Sequence, residues 1–195
     1  MESKKPSAAE YDISKLSIRE ATPLDILASI EVHKAAFGPE EGEVIAKLVE
    51  DLHQDDTARP LLSLVASIGD KVVEHVLFTN AWLAPASTAK AVILAPLAVH
   101  PDLQRQGVGA KLIADGLKRL REGAVDLVFV LGHPTYYPRH GFQPAGVKDF
   151  EATYEIKPEN AGAWMVQELQ AGALDKFHGK VQCAASLDKP EFWQE

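Results

Sequence analysis

The stretch Leu97-Ala98-Val99-His100-Pro101-Asp102-Leu103-Gln104-Arg105-Gln106-Gly107-Val108-Gly109-Ala110 decides how this chain is read. An apolar run ends, a short polar turn follows, and two glycines open a helix. The first turn of a helix carries backbone N–H groups that have no partner within the helix. They lie at the positive end of its dipole and attract phosphate. Gly107 and Gly109 leave that backbone open to a bulky anion. Arg105 adds a cation able to fork onto phosphate oxygens. A glycine-containing strand-to-helix turn with no ligand is the alternative, since short glycine motifs also arise by chance. The spacing Gln104-x-x-Gly107-x-Gly109 is neither the dinucleotide fingerprint nor the Walker loop, because it lacks a third glycine and a Gly-Lys-Ser/Thr ending.

Downstream, Gly107 to Arg121 has a helical apolar stripe of Val108, Leu112, Ile113, Leu117 and Leu120, with Lys118, Arg119 and Arg121 at its negative end. Ala124 to Leu131 is nearly all apolar, as in a strand covered on both faces. The helix between has the length of a right-handed parallel crossover. Upstream, Ala89 to His100 is another apolar run, interrupted by Pro96. Proline cannot donate to a ladder, so Pro96 marks either an irregular strand end or a bulge. A bulge would bend the strand away from Ala124–Leu131 and leave a wedge-shaped gap.

Leu61 to Ile68 and Lys71 to Thr79 flank Gly69-Asp70 and read as a hairpin. Leu16 to Glu20 alternates like a half-buried strand. Thr22-Pro23 opens a helix whose expected buried stripe is Leu24, Leu27 and Ala28, ending at Phe37-Gly38. Pro39 to Leu52 reads as a second helix, with Glu40, Glu41 and Glu43 suiting its dipole. Its stripe is Val44, Ile45, Leu48, Val49 and Leu52. Trp164 to Leu169 reads as a late strand.

Composition narrows the field. A chain of 195 residues with 46% hydrophobic and 25% charged residues suits one globular core. A net charge of −8 argues against nucleic acid as the main partner. No segment reaches the roughly 18 apolar residues of a membrane span. Met1 to Tyr11 lacks the apolar core of a secretory signal. A single cysteine, Cys183, suits a reducing cytoplasm and reads as a buried apolar residue. The 7 histidines form no cluster with ligand spacing, so no metal is expected. The expected organisation is a tail over residues 1–14 and a single domain over 15–195. Its core is 15–145, with a C-terminal strand and tail over 146–195.

The Gln104-x-x-Gly107-x-Gly109 segment resembles the Gln/Arg-x-x-Gly-x-Gly/Ala signature of the GNAT superfamily, the acyl-CoA-dependent N-acyltransferases. Leu97-Ala98-Val99-His100-Pro101 is similar to that family's fourth strand and Val125 to Leu131 to its fifth. Tyr137-Pro138-Arg139-His140-Gly141-Phe142 is similar to its Tyr-x-x-x-Gly-Phe ending. The string Gly132 to Phe142 resembles the bacterial YhbS-like branch. The likeness runs from about Leu16 to Phe142. It implies an α/β (α+β) fold: a mixed, mostly antiparallel central sheet with a splayed parallel strand pair and flanking helices. It also implies a cytoplasmic enzyme, a monomer or homodimer, that moves an acetyl group from acetyl-CoA directly to a primary amine. The acceptor would be a small molecule or a peptide. A non-catalytic acyl-CoA-binding or sensing module of the same fold is the alternative, and an interaction protein with an incidental glycine turn is a third.

By the same resemblance, Leu97, Ala98 and Val99 hold the pantetheine arm, and the Leu97 backbone N–H polarises the thioester carbonyl. The pyrophosphate sits on Arg105, Gln106, Gly107, Val108, Gly109 and Ala110, with Gln104 opening the motif. Tyr137 takes the place of the general acid toward the departing thiolate, and Tyr136 packs. For the base, the residue types allow His75, Glu74, His100 or Glu20, with Glu74-His75 on the third strand best placed. Deprotonation through water needs no dedicated side chain. Relatives tend to carry Gly-His where this chain has Glu74-His75, so the acceptor cleft is where this chain is expected to differ.

Overall fold

A computed structural model describes residues 11–194. Its strands are β1 (Leu16–Glu20), β2 (Leu62–Ile68), β3 (Lys71–Ala84), β4 (Ala91–Val99), β5 (Leu127–Leu131), β6 (Gln143–Pro144), β7 (Phe150–Glu151), β8 (Trp164–Glu168) and β9 (Gly179–Cys183). Its α-helices are α1 (Ile26–Gln54), α2 (Val108–Glu122) and α3 (Ala173–Lys176). The main sheet path runs β1-β2-β3-β4-β5-β8-β6. All its neighbours are antiparallel except β4 and β5, which α2 joins as a parallel crossover.

Two apolar layers cover the sheet. One packs Leu48, Val49 and Leu52 of α1 against Leu77, Ala81 and Ile93, and continues into Trp164, Leu187 and Trp193. The other packs Leu112, Ile113, Leu117 and Leu120 of α2 against Val76, Phe78, Leu94 and Val130. The expected α2 stripe is therefore the buried one. Gly116 lets that helix close onto the sheet, because a Cβ there would lie 2.5 Å from the Phe78 ring.

The first helix corrects the sequence reading. Leu24 and Leu27 are exposed, at 92% and 75%. The buried residues are Asp25, Ser29, Ile30, Val32 and His33. The Arg19 guanidinium clamps Asp25 through two bonds of 2.7 and 2.8 Å, and Thr22 donates to it from N–H and hydroxyl. That polar anchor rotates the helix, and the apolar periodicity of its first turn yields. The two helices expected from sequence are both present, as arms of α1 that meet at Gly38, whose φ of +77° and ψ of −173° are not helical. Val44, expected in the stripe, is half exposed.

Tyr11 and Ile13, placed by the sequence reading in the tail, pack with Leu16, Val73 and Val99. The rest of that segment, residues 1–10, lies outside the described residues. Among the described residues no helix is long and apolar enough to cross a membrane, and no group of His, Cys, Asp or Glu is placed to hold a metal ion.

Gly116→Ala is expected to destabilise the protein by about 1–3 kcal/mol through overpacking against Phe78. Urea or thermal unfolding checks this; unchanged stability would mean that α2 can lift from the sheet at no cost.

Candidate active site

The site begins with a bulge. Val76 faces Leu97 and Phe78 faces Leu94, so Ala95 and Pro96 together oppose the single residue Leu77. The parallel pairing of β4 with β5 spans only Ala91, Val92 and Ile93 against Leu127, Val128 and Phe129. From Leu94 onward the two strands part, as the wedge reading of Pro96 anticipates. His100 donates to the Val73 carbonyl at 2.9 Å, and the register to Leu97 is regular. Antiparallel alternation then turns the backbone groups of Ala98 toward β3 and those of Leu97 and Val99 toward the gap. The Val99 carbonyl accepts from Gln104 Nε2 at 3.1 Å, consistent with that direction.

The turn beyond β4 is built for an anion. Arg105 (φ +64°) and Gly107 (φ +77°) both take left-handed conformations. Alternation of this kind curls successive N–H groups into a nest. No side chain caps the first turn of α2, and the exposed Arg105 makes no hydrogen bond or ion pair among the described residues. Gln104 and Gln106 are structural ties: Gln106 Nε2 donates to the Asp102 carbonyl at 2.7 Å, as Gln104 does to Val99. Gly107 has open space where a Cβ would lie, so its need for glycine is the positive φ. At Gly109 a Cβ would meet the Tyr136 hydroxyl at 2.9 Å and a Val99 methyl at 3.1 Å.

Gap and turn open into one cavity of about 1100 Å³. It is lined by Leu97, Ala98, Val99, Gln104, Arg105, Gly107, Val108, Gly109, Ala110 and Tyr137, ten of the residues singled out from sequence; Gln106 lies in the turn without lining it. Tyr137 begins a short 3-10 turn, Tyr137–His140, in which Pro138 sits in the first turn at no hydrogen-bond cost. Gly132 lets the Tyr137 ring close over the end of β5: a Cβ there would lie 2.6 Å from the ring edge. Gly141 (φ +93°) stops the turn and Phe142 anchors it in the core. Tyr136 stands against the Tyr137 ring and carries Arg139 over its own face at 5.3 Å.

The two best-placed base candidates lie elsewhere. His75 and Glu74 are both fully buried, on opposite faces of β3, and neither lines the cavity. On the α1 side, His75 Nδ1 is 2.9 Å from His33 Nε2, and its Nε2 is 2.9 Å from Ser63 Oγ. Burial holds His75 well below the ordinary imidazole range and His33 down to about 3, so both are neutral near pH 7. Glu74 shares the α2 face with Val76 and Phe78. Its carboxyl oxygens have no hydrogen-bond partner among the described residues. Burial pushes it up to about 8, against a small opposing pull from Lys111. Cys183 is buried, its thiol pushed up to about 11 by burial, and is inert at neutral pH.

The sequence reading missed the wall that faces β4 from α1 and the C-terminus: Phe37, Glu40, Glu41, Val44, Glu191 and Phe192. The side-by-side acids Glu40 and Glu41 were a usable signal, but helix-dipole pairing accounts for them equally well.

Comparison with known proteins fits this geometry. Residues 17–145 match the family model described as an acetyltransferase (GNAT) domain. The chain is 45% identical over 157 residues to the uncharacterized N-acetyltransferase YjhQ of Escherichia coli K12, covering 79% of this chain and 84% of that protein. It is 31% identical to E. coli YhbS, likewise an uncharacterized N-acetyltransferase, over 85% of this chain and 94% of that one. The crystal structure of E. coli YhbS in complex with CoA superposes with TM-score 0.80 at 29% identity, covering 90% of this chain and 93% of that chain. A GNAT acetyltransferase from Brucella melitensis in complex with acetyl-CoA superposes with TM-score 0.70 at 26% identity, covering 89% of this chain and 98% of that chain. The chain belongs to the GNAT acetyltransferase family and is an acetyl-CoA-dependent N-acetyltransferase.

Glu74 gives the fold a pH signature. A carboxyl whose folded value is raised adds stability that is full below its unfolded value, near 4.5, and lost as pH rises through about 8. Glu74→Gln is therefore expected to gain on the native protein between pH 5 and pH 8 and then level off, by about a few kcal/mol at the alkaline end. Thermal unfolding of both across that range checks it; parallel curves would place an ionised, well-solvated Glu74 in the fold.

Proposed function

We propose that acetyl-CoA lies in the gap between β4 and β5 and that an amine, entering from the α1 side, takes its acetyl group directly. The observation that carries this reading is the separation of β4 from β5 beyond Ile93, beside an uncapped α2 terminus. Backbone groups of Leu97 and Val99, on either side of Ala98, line the slot for the pantetheine arm. N–H groups from Arg105 to Ala110, with the Arg105 side chain, receive the pyrophosphate.

The amine lone pair attacks the thioester carbonyl carbon, and the Leu97 N–H steadies the oxyanion. As the intermediate collapses, the C–N bond is kept and the C–S bond breaks. The Tyr137 phenol gives its proton to sulfur, and the proton shed by nitrogen returns to the phenolate through solvent. The thiol's pKa of roughly 8.5 makes the thiolate a fair leaving group that a donated proton improves. With Glu74 and His75 buried away from the cavity, proton loss from the incoming ammonium to solvent is the route that the geometry favours. A bacterial cytoplasmic setting is supported by the lone cysteine and by relatives from E. coli.

Acetyl-CoA at a hundredfold excess over its Kd is expected to stabilise the protein by about 2.7 kcal/mol, read as a thermal shift. No shift with any acyl-CoA would sink this assignment. Tyr137→Phe is expected to retain that shift while lowering kcat by roughly 100-fold or more in a thiol-release assay; undiminished turnover removes the acid role.

A further inference from the structure

Glu74 is a buried carboxyl that the transfer chemistry does not use. It is 0% exposed, and neither of its oxygens has a hydrogen-bond partner among the described residues. The other buried carboxyl, Asp25, is satisfied by Arg19 and Thr22. The place of Glu74 in the sheet decides what it acts on. It lies directly opposite Val99, so the two side chains share a face, with Cβ atoms roughly 5 Å apart. Val99 lines the cavity, and its methyl lies 3.1 Å from the point where a Gly109 Cβ would be. The Tyr136 hydroxyl lies 2.9 Å from the same point. Glu74 is therefore one side chain removed from the first turn of α2, behind the N–H groups assigned to the pyrophosphate. Electrostatics agree with that placement. Burial pushes the Glu74 carboxyl up to about 8, against the pull of Lys111 in that turn. Burial and then the charge of Glu74 push the Tyr136 phenol up.

Few charges face this carboxyl. Its neighbours across the sheet are Ala66 on β2 and Val99 on β4. On α2, Lys111 is exposed, and Asp115 is tied to Arg119, which also reaches Glu20 at the end of β1. Beyond β5, Arg139 lies over the Tyr136 ring and His140 stands at its edge, its imidazole pushed down by burial and then by Arg139. His75 and His33 are on the opposite face. Among the described residues none of these groups donates to Glu74, so its ionised form has nothing to steady it. A pyrophosphate on α2 adds a second reason to stay neutral. Like charges roughly 10 Å apart in a protein interior repel by more than the thermal energy, and buried ones are little screened by salt.

We propose that Glu74 is the proton-linked group of cofactor binding: acetyl-CoA binds the enzyme whose Glu74 is protonated, and ionisation of this carboxyl weakens the hold of α2 on the pyrophosphate. The inference rests on the placement of acetyl-CoA above and adds a residue that acts on the cofactor through its charge, without touching it. The balance is a single proton. Where the free enzyme carries the carboxylate, binding takes up a proton from solvent; where Glu74 is already neutral, none moves. By linkage, the bound cofactor raises the pH at which Glu74 loses that proton. The cofactor is therefore held firmly at neutral pH and less firmly as the pH climbs through about 8.

Calorimetric titration with acetyl-CoA from pH 7.5 to pH 9.5 tests this, because the thioester has no thiol to titrate and phosphate groups, with values near 6, are already ionised. The wild-type Kd is expected to rise at least fivefold across that range. Near pH 8.5, two buffers of different ionisation enthalpy are expected to show uptake of about half a proton for each acetyl-CoA bound. Glu74→Gln keeps the shape of the side chain and cannot ionise. Its Kd is expected to match the wild-type value at pH 7.5, to stay within twofold up to pH 9.5, and to show no proton uptake. The comparison of buffers uses the wild-type protein alone and stands if the variant fails to fold. Parallel pH curves for the two proteins, which a purely structural Glu74 would give, a flat wild-type Kd, or wild-type binding without proton uptake would overturn the role of Glu74 alone. No binding of acetyl-CoA to the wild-type protein at pH 7.5 would overturn the placement of the cofactor and this inference with it.

Discussion

Everything at this site depends on two strands that fail to pair. A parallel ladder between β4 and β5 would satisfy its backbone groups and close the sheet, yet only three residue pairs form before the strands part. The cause is local, because the extra residue at Ala95-Pro96 shifts the register against β3, and proline has no N–H to extend the ladder. What the sheet forgoes in strand pairing it gains as a slot lined by unpaired main chain. That slot leads directly to the first turn of α2, which no side chain among the described residues caps. A phosphorylated carrier with an amide-bearing arm can satisfy both sets of groups at once.

The surrounding fold keeps this opening from collapsing. Two apolar layers hold α1 and α2 on opposite faces, so each strand is pinned from a different side. Small residues set the distances: Gly109 admits the Tyr136 hydroxyl, and Gly132 admits the Tyr137 ring. Gly116 seats α2 on Phe78. Polar groups are buried beside the opening on both faces of β3: a neutral histidine pair tied to Ser63 and the solitary carboxyl of Glu74. Neither lines the cavity, whose wall is formed there by the end of β4, the first turn of α2 and Tyr137.

Much of this was legible from residues alone. The hairpin around Gly69-Asp70, the α2 stripe and the parallel crossover rest on local rules, and each stands in the structure; of the two readings open at Pro96, a strand end or a bulge, the structure has the bulge. The first turn of α1 departed from its periodicity because Arg19, in a different element, captures Asp25 and sets the helix rotation. Glu74 and His75 looked like cleft residues because they sit on the right strand. Which face each takes, and how deeply each is covered, depend on packing by helices remote in sequence.

By itself the sequence determined the order of elements, the family and the stretch from Leu97 to Ala110 that lines one side of the cavity. Glycine spacing, a proline within a strand and apolar periodicity act over a few neighbouring residues, and their meaning survives without a fold. Only the tertiary structure decided the opposite wall of the cavity. Its wall joins α1 to a C-terminal segment some 150 positions away, Glu40 and Glu41 with Glu191. No short-range rule links residues that far apart; they become neighbours only when both segments pack on the same face of the sheet.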